Sequence, residues 1–261
     1  MPIIGIDIEK CSNCLECLRD CPTRNFSLND QNQIVFQQKN CILCGHCVAI
    51  CSENAIRHKD MGDDVLEFDL DREISTLVPY DSLNKLFRAK RSVRQYRSDP
   101  VPEDLIEKII DSMRYAPTGA NMRSLKCLVI SSKERINQLT DAIINVLESS
   151  DTKEFFKSSR ERGYDPIFYN APLVLIIYSK NPYDTRNSTI AMTYSMISAE
   201  TLGLGSCWIG YAHGILTDFP HICRNLTGIE TYVLGVMTLG YPSVRYYRAP
   251  PRPPIQVREI K

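Results

Sequence analysis

The chain lacks an excess of charge of either sign, with 31 Lys and Arg against 31 Asp and Glu. Proteins that hold nucleic acid or an anionic membrane surface rely on an uncompensated basic field, so neither partner is expected. No apolar run approaches the roughly 18 residues that a membrane span requires. No secretory h-region opens it either: Met1-Pro2-Ile3-Ile4-Gly5-Ile6-Asp7-Ile8 is too short and acid-flanked, and reads as a strand. The Gly-rich stretch near residue 205 departs from G-x-G-x-x-G and follows a helical segment, which disfavours a Rossmann nucleotide site. A Ser–His–Asp set and a paired-carboxylate pattern are missing too, so the residues present no hydrolytic machinery.

Cysteine, by contrast, is abundant and crowded. Eight of the 11 cysteines fall within the first 51 residues, as Cys11, Cys14, Cys17, Cys21 and then Cys41, Cys44, Cys47, Cys51. Both runs are C-x2-C-x2-C-x3-C, the bacterial iron–sulfur spacing, in which the fourth cysteine ligates the other cluster. That predicts one [4Fe–4S] centre on Cys11, Cys14, Cys17 and Cys51, and a second on Cys41, Cys44, Cys47 and Cys21. A disulfide framework would need an oxidising compartment, which the missing export signal argues against. Structural zinc would place two close cysteines where each run places three. His46 lies inside the second run, but cysteine already supplies every ligand. Reduced thiols and oxygen-sensitive clusters point to a cytoplasm low in oxygen. The chain is expected to move electrons one at a time.

At 261 residues the length allows one or two domains. Residues 1–59 hold both runs, with Ile34-Val35-Phe36 as a hairpin strand between them, and so small a core needs its metal to fold. Residues 60–79 read as an acidic linker, carrying Asp60, Asp63, Asp64, Glu67, Asp69, Asp71 and Glu73 with Arg72 opposing. A basic partner is the alternative use of that stretch. Residues 80–261 turn to a mixed α/β pattern. Leu83, Leu86 and Phe87 share a helical face. Pro102-Glu103-Asp104 opens a second helix with Leu105, Ile109, Ile110 and Met113 on its apolar stripe. Residues 125–130, 173–177 and 232–237 read as buried strands, and Thr189 to Thr201 as a long helix. Four prolines between residues 250 and 254 forbid a helix in the tail, which is expected to lie extended.

Three later segments invite a ligand. Lys90-Arg91-Ser92-Val93-Arg94 gathers cations and a hydroxyl that suit a phosphate, although a basic helix end complementing the macrodipole has the same composition. Ala116-Pro117-Thr118-Gly119-Ala120-Asn121-Met122-Arg123-Ser124 has small residues that let backbone approach a flat ring, and Asn121 offers a donor and an acceptor. An ordinary helix-to-strand loop would look similar. Gly203-Leu204-Gly205-Ser206-Cys207-Trp208-Ile209-Gly210 reads as a tight turn presenting amides beside a planar ligand. Cys127, Cys207 and Cys223 read as packed small hydrophobes. His213 is a weaker proton-donor candidate.

Together with Gly240-Tyr241-Pro242, these segments resemble the FMN-dependent nitroreductase superfamily over about residues 80–261. With residues 1–59 added, the chain resembles a ferredoxin-fused nitroreductase. The resemblance implies an α+β fold, with a two-cluster ferredoxin-like domain followed by a central, mainly antiparallel sheet flanked by helices. It implies a homodimer with FMN at the subunit interface, and chemistry carried by the flavin rather than by a catalytic side chain. Lys90, Arg91, Ser92 and Arg94 match the first flavin segment, and Arg248 and Arg252 belong to a late basic arm. Pro117, Thr118, Gly119 and Asn121 match the ring-facing loop. Trp208, Ile209 and Gly210 match the turn whose backbone N–H approaches flavin N5 and O4. Lys90 stands where the family usually has Arg, and Arg123-Ser124 where it often has Gln-Pro.

The activity so implied is an oxidoreductase that takes single electrons through two [4Fe–4S] clusters. It would deliver a pair to a small electron-poor acceptor such as a nitroaromatic, quinone or activated alkene. The donor expected is external and of low potential, such as ferredoxin or flavodoxin, rather than NAD(P)H. Two alternatives stand beside it: an electron-transfer module that docks to a partner enzyme, and a dedicated biosynthetic or dehalogenating flavoenzyme of the same superfamily.

Overall fold

A computed structural model describes residues 3–59, 61–68, 74–147 and 151–260. Asp60, Asp69, Asp71, Arg72 and Glu73 of the expected acidic linker lie outside the described residues. The chain divides into two compact units; Thr118–Met122 groups with the amino-terminal one, and residues 74–117 and 123–261 form the other.

The first unit is built on β1 (Ile3–Ile6), α1 (Glu16–Asp20), β2 (Phe26–Leu28), β3 (Ile34–Phe36), α2 (His46–Ala49) and β4 (Ile56–His58). Strand β1 pairs with β4 and β2 with β3, both antiparallel, so the expected strand at Ile34-Val35-Phe36 is present. Its buried core is Ile3, Ile6, Cys17, Phe26, Ile34, Ala55 and Ile56. Seven such residues hold a chain of this length poorly unless a bound group adds folding energy.

The second unit opens with α3 (Tyr80–Ala89) and α4 (Glu103–Arg114), each entered from a proline. Strand β5 (Lys126–Ile130) follows, then α5 (Lys133–Asn145), α6 (Asp151–Glu161) and β6 (Leu173–Ser179). Helix α7 (Thr185–Thr201), β7 (Gly205–Trp208), α8 (Gly210–Asp218), α9 (Pro220–Thr227) and β8 (Tyr232–Gly240) complete it. The sheet order is β5-β6-β8-β7, every pairing antiparallel. Side chains alternate across β6 to build two cores. Val174 and Ile176 pack with Ile136, Leu139 and Ile143 of α5 and with Leu216 of α8. Leu173, Leu175 and Ile177 pack instead with Ile109 of α4 and Met192 of α7. The sheet is therefore covered by helices on both faces, which explains why β6 reads as an unbroken apolar run.

One expectation needs correcting. Gly205–Trp208 is not a tight turn but the edge strand β7, paired with residues 237–240 of β8. Ser206 and Cys207 are buried there, small enough for helices to close over the sheet. The tail beyond residue 244 is irregular and non-helical, as its prolines require.

Candidate functional site

In the first unit the two cysteine runs cross. Burial, then Cys11, Cys14 and Cys51, push the Cys17 thiol up to about 11. Burial likewise raises Cys47, with Cys44, Cys41 and Cys21 as its charged neighbours. Each of these two thiols thus senses two cysteines of its own run and the last cysteine of the other. A cavity is lined by Cys11, Cys14, Cys17 and Cys51 together with Ile6, Ile34 and Ile56. Thiols this costly to ionise require a cation or cluster to become ligands. Backbone amides already address three sulfurs: Asn13 N to Cys11 Sγ at 3.4 Å, Asn25 N to Cys21 at 3.3 Å and Ala55 N to Cys51 at 3.3 Å. Such donors favour the charged, metal-bound form of sulfur. None of the 11 cysteines is in a disulfide. Among the described residues, no group of three or more His, Cys, Asp or Glu side chains is close enough to hold a single ion. The donor set fits cubanes, which spread four thiolates around a cage. His46 pairs with Asp20 at 3.4 Å.

In the second unit, three segments far apart in sequence meet at the β7 edge. Ser92 bridges Ser206 in parallel, with Val93 N donating to Ser206 O at 3.1 Å. Tyr96 bridges Pro242, and its hydroxyl reaches Val93 O at 2.8 Å and Thr238 Oγ1 at 2.9 Å. Gly205 permits this approach: a Cβ there would stand 2.5 Å from Val93 Cγ2.

The Cys207 sulfur registers the resulting field. Burial raises its pKa, while Arg94, the Ser92 hydroxyl and Lys90 pull it down. Cations from the 90–94 segment therefore act together on one point of β7. Their engagement is unequal. Lys90 is half-buried; its Nζ donates to Arg91 O at 2.6 Å and Ser206 O at 3.1 Å and lies 3.6 Å from Glu200. Burial lowers its pKa, with Glu200 opposing. Arg91 Nη1 donates to Lys90 O at 2.5 Å. Arg94 is exposed, stacked 5.7 Å from the Tyr169 ring, so its charge faces outward. Glu200 and Tyr169 are members of this cluster that sequence spacing did not reveal; neither sits in a recognisable motif.

The amide of Ile209 donates to Val236 O at 2.8 Å and is used by the sheet. Gly210 begins α8, where first-turn amides lack partners within the helix. Trp208 packs edge-on against His213 at 6.0 Å. The His213 Nε2 is 3.3 Å from Val233 O and burial depresses its pKa, a packed rather than proton-donating setting. Pro117 is exposed. Thr118, Gly119 and Asn121 fall with the first unit, where Asn121 Nδ2 donates to Ile42 O at 2.9 Å and Leu43 O at 2.8 Å. Those bonds employ the amide donors expected at a ring edge. Ala120, Asn121 and Arg123 all have positive φ, a strained run typical of functional loops. Ser124 donates to Asp184 Oδ2 at 2.5 Å. Arg248 and Arg252 lie exposed in the tail. Cys127 is pushed up to about 12 and Cys223 to about 11 by burial, as packed thiols are.

A cysteine-rich unit with crossed quartets, joined to a helix-covered antiparallel sheet with cations at its edge, defines a redox protein. The Nitroreductase family profile matches residues 87–241, and a 4Fe-4S dicluster domain profile matches residues 3–52. The first match spans more than half of the chain, which therefore belongs to the Nitroreductase family of oxidoreductases. A Methanothermobacter thermautotrophicus protein provisionally named an NADH dehydrogenase/NAD(P)H nitroreductase is 24% identical over 164 residues, 60% of this chain and 75% of the relative. The crystal structure of a Bacteroides fragilis nitroreductase with bound FMN superposes with a TM-score of 0.55 at 24% identity, covering 68% of this chain and 98% of that one. A Desulfitobacterium hafniense nitroreductase, also with bound FMN, gives 0.55 at 18% identity, covering 68% and 97%. Among the described residues no helix is long and apolar enough to cross a membrane.

Proposed function

We propose that this chain is a cytoplasmic FMN-dependent oxidoreductase fed by its own two [4Fe–4S] clusters. When bound, the clusters supply single-electron transfer and FMN supplies storage of an electron pair. Residues 1–59 would carry the clusters, 60–79 the linker and 80–261 the flavin, in a homodimer with flavin at the subunit interface. The observation that carries the reading is the crossed grouping of eight cysteines in a chain whose remainder has the nitroreductase fold.

Each residue set has a defined task. Cys11, Cys14, Cys17 and Cys51 hold one cluster, and Cys41, Cys44, Cys47 and Cys21 the other. Arg94 and Ser92 meet the flavin phosphate, with Arg248 and Arg252 of the tail closing over it and Arg91 beside them. Lys90 supplies positive field from within, because its ammonium is tied to Glu200 and two carbonyls. Pro117, Thr118, Gly119 and Asn121 line the ring loop. Trp208, Ile209 and Gly210 also face the ring, with Gly210 giving the amide. Carrying the donor in the same chain raises its effective concentration at the flavin.

The acceptor is a small electron-poor molecule: a nitroaromatic, quinone or activated alkene. The test is anaerobic purification with iron, sulfide and flavin counts, then an acceptor screen with reduced ferredoxin or flavodoxin as donor. About eight irons and one FMN per chain, with acceptor turnover, are expected. Flavin-free protein, or turnover only of a partner redox protein, would refute the reading.

A further inference from the structure

The two halves of the first unit repeat thirty positions apart, Cys11 to Cys41 and Cys21 to Cys51. The backbone repeats with them. Asn13 and Leu43 have φ of 56° and 57°, Leu15 and Gly45 67° and 76°, Arg24 and Asn54 51° and 47°. The amide four residues after each closing cysteine donates to its sulfur at 3.3 Å in both halves, from Asn25 and from Ala55. With the backbone held constant, differences between the halves reside in side chains.

Two of them fall beside the closing sulfurs. In the first half, Asn25 Nδ2 donates to Thr23 Oγ1 at 2.6 Å, which leaves the threonine's own proton for Cys21 Sγ, 3.8 Å away. Asn25 is buried and clamped, its Oδ1 accepting from Lys39 N at 2.8 Å and its carbonyl from Gln37 N at 2.7 Å. The relay is therefore fixed in place. In the second half the equivalent positions are Glu53 and Ala55. Glu53 is among the residues lining the cavity of Cys11, Cys14, Cys17 and Cys51, its Oε1 accepting from Ser52 Oγ at 3.1 Å, and Ala55 has no polar side chain. Glu16 lines the same cavity but is ion-paired with Arg19.

Reduction adds negative charge to a thiolate-ligated cage. A hydroxyl donated to sulfur stabilises that charge, and a neighbouring carboxylate opposes it. We propose that the two clusters differ in potential: the one closed by Cys21 is the higher, and Thr23–Asn25 and Glu53 set the gap. The first electron then rests on the Cys41, Cys44, Cys47, Cys21 centre. This rests on the two-cluster reading above.

The test is an anaerobic EPR-monitored redox titration of the full chain, with iron and sulfide counted in the same sample. Two resolved one-electron steps are expected. Thr23→Val should lower only the upper step, and Thr23→Ser should keep it. Glu53→Gln should raise only the lower step, by an amount that shrinks with added salt because Glu53 is exposed. Full loading with coincident steps would overturn the inference, as would a Thr23→Val shift in the lower step or in neither. A wild-type content of a single cubane would instead break the two-cluster reading, and the inference with it.

Discussion

The two units store their redox chemistry in different parts of the chain. The first concentrates it in eight side chains at fixed spacing, around a core of seven buried residues. The second spreads its site over segments more than a hundred residues apart, joined at the β7 edge through Ser92 and Ser206. In the first, the ligands are also the scaffold. In the second, a large two-faced core makes the scaffold and the candidate site lies at its edge. Damage should therefore be all-or-none in one unit and graded in the other.

The sharpest way to break that contrast is Cys17→Ala. Cys17 is buried in the small core and groups with Cys11, Cys14 and Cys51. Its loss should remove a cluster and unfold the first unit, while the second keeps its sheet. Iron content, with limited proteolysis to a stable carboxy-terminal fragment, checks this; loss of that fragment along with iron would erase the distinction. Next comes Asp184, buried beneath Ser124, Ser179 and Asn187. Burial pushes its carboxyl up, but those hydrogen bonds outweigh it and hold it below the ordinary value. Asp184→Ala should cost about 3 kcal/mol in denaturant unfolding. A folded-state pKa below the unfolded one gives stability that is present above the unfolded carboxylate pKa and lost as pH falls through the folded one. The Asp184→Asn variant should lose that acid limb.

Gly205→Val would press on Val93 and should cost about 2 kcal/mol, read as a lower Tm and weaker flavin retention. The smallest effect is expected from Arg94→Ala. It should weaken flavin binding about tenfold, near 1.4 kcal/mol, with reduced salt dependence and unchanged iron. An unaltered flavin Kd would remove Arg94 from the phosphate.

The same contrast governs what could be seen in the sequence. Cysteine spacing exposes the cluster unit because iron chemistry dictates residue type and interval together. Apolar periodicity exposes β6, β8 and most of α7, since a strand buried on both faces has no polar positions. It missed β7, whose Gly205, Ser206 and Cys207 are small for packing reasons and mimic a turn. It also left α5, α6, α8 and α9 unassigned. Glu200 and Tyr169 carried no signal, because a helix end and a loop reach the 90–94 segment only after folding. The Ile209 amide was claimed by Val236, a ladder bond that requires knowing β8.

The central claim is that electrons reach the flavin through the clusters. Anaerobic stopped-flow of flavin bleaching, in wild type and in a Cys14→Ser variant that retains flavin, tests it directly. Reduced ferredoxin should bleach the wild-type flavin rapidly and the variant's at least tenfold more slowly, a barrier of about 1.4 kcal/mol or more, with NADPH ineffective in both. Rapid bleaching by NADPH in both proteins, with no dependence on Cys14, would contradict the account.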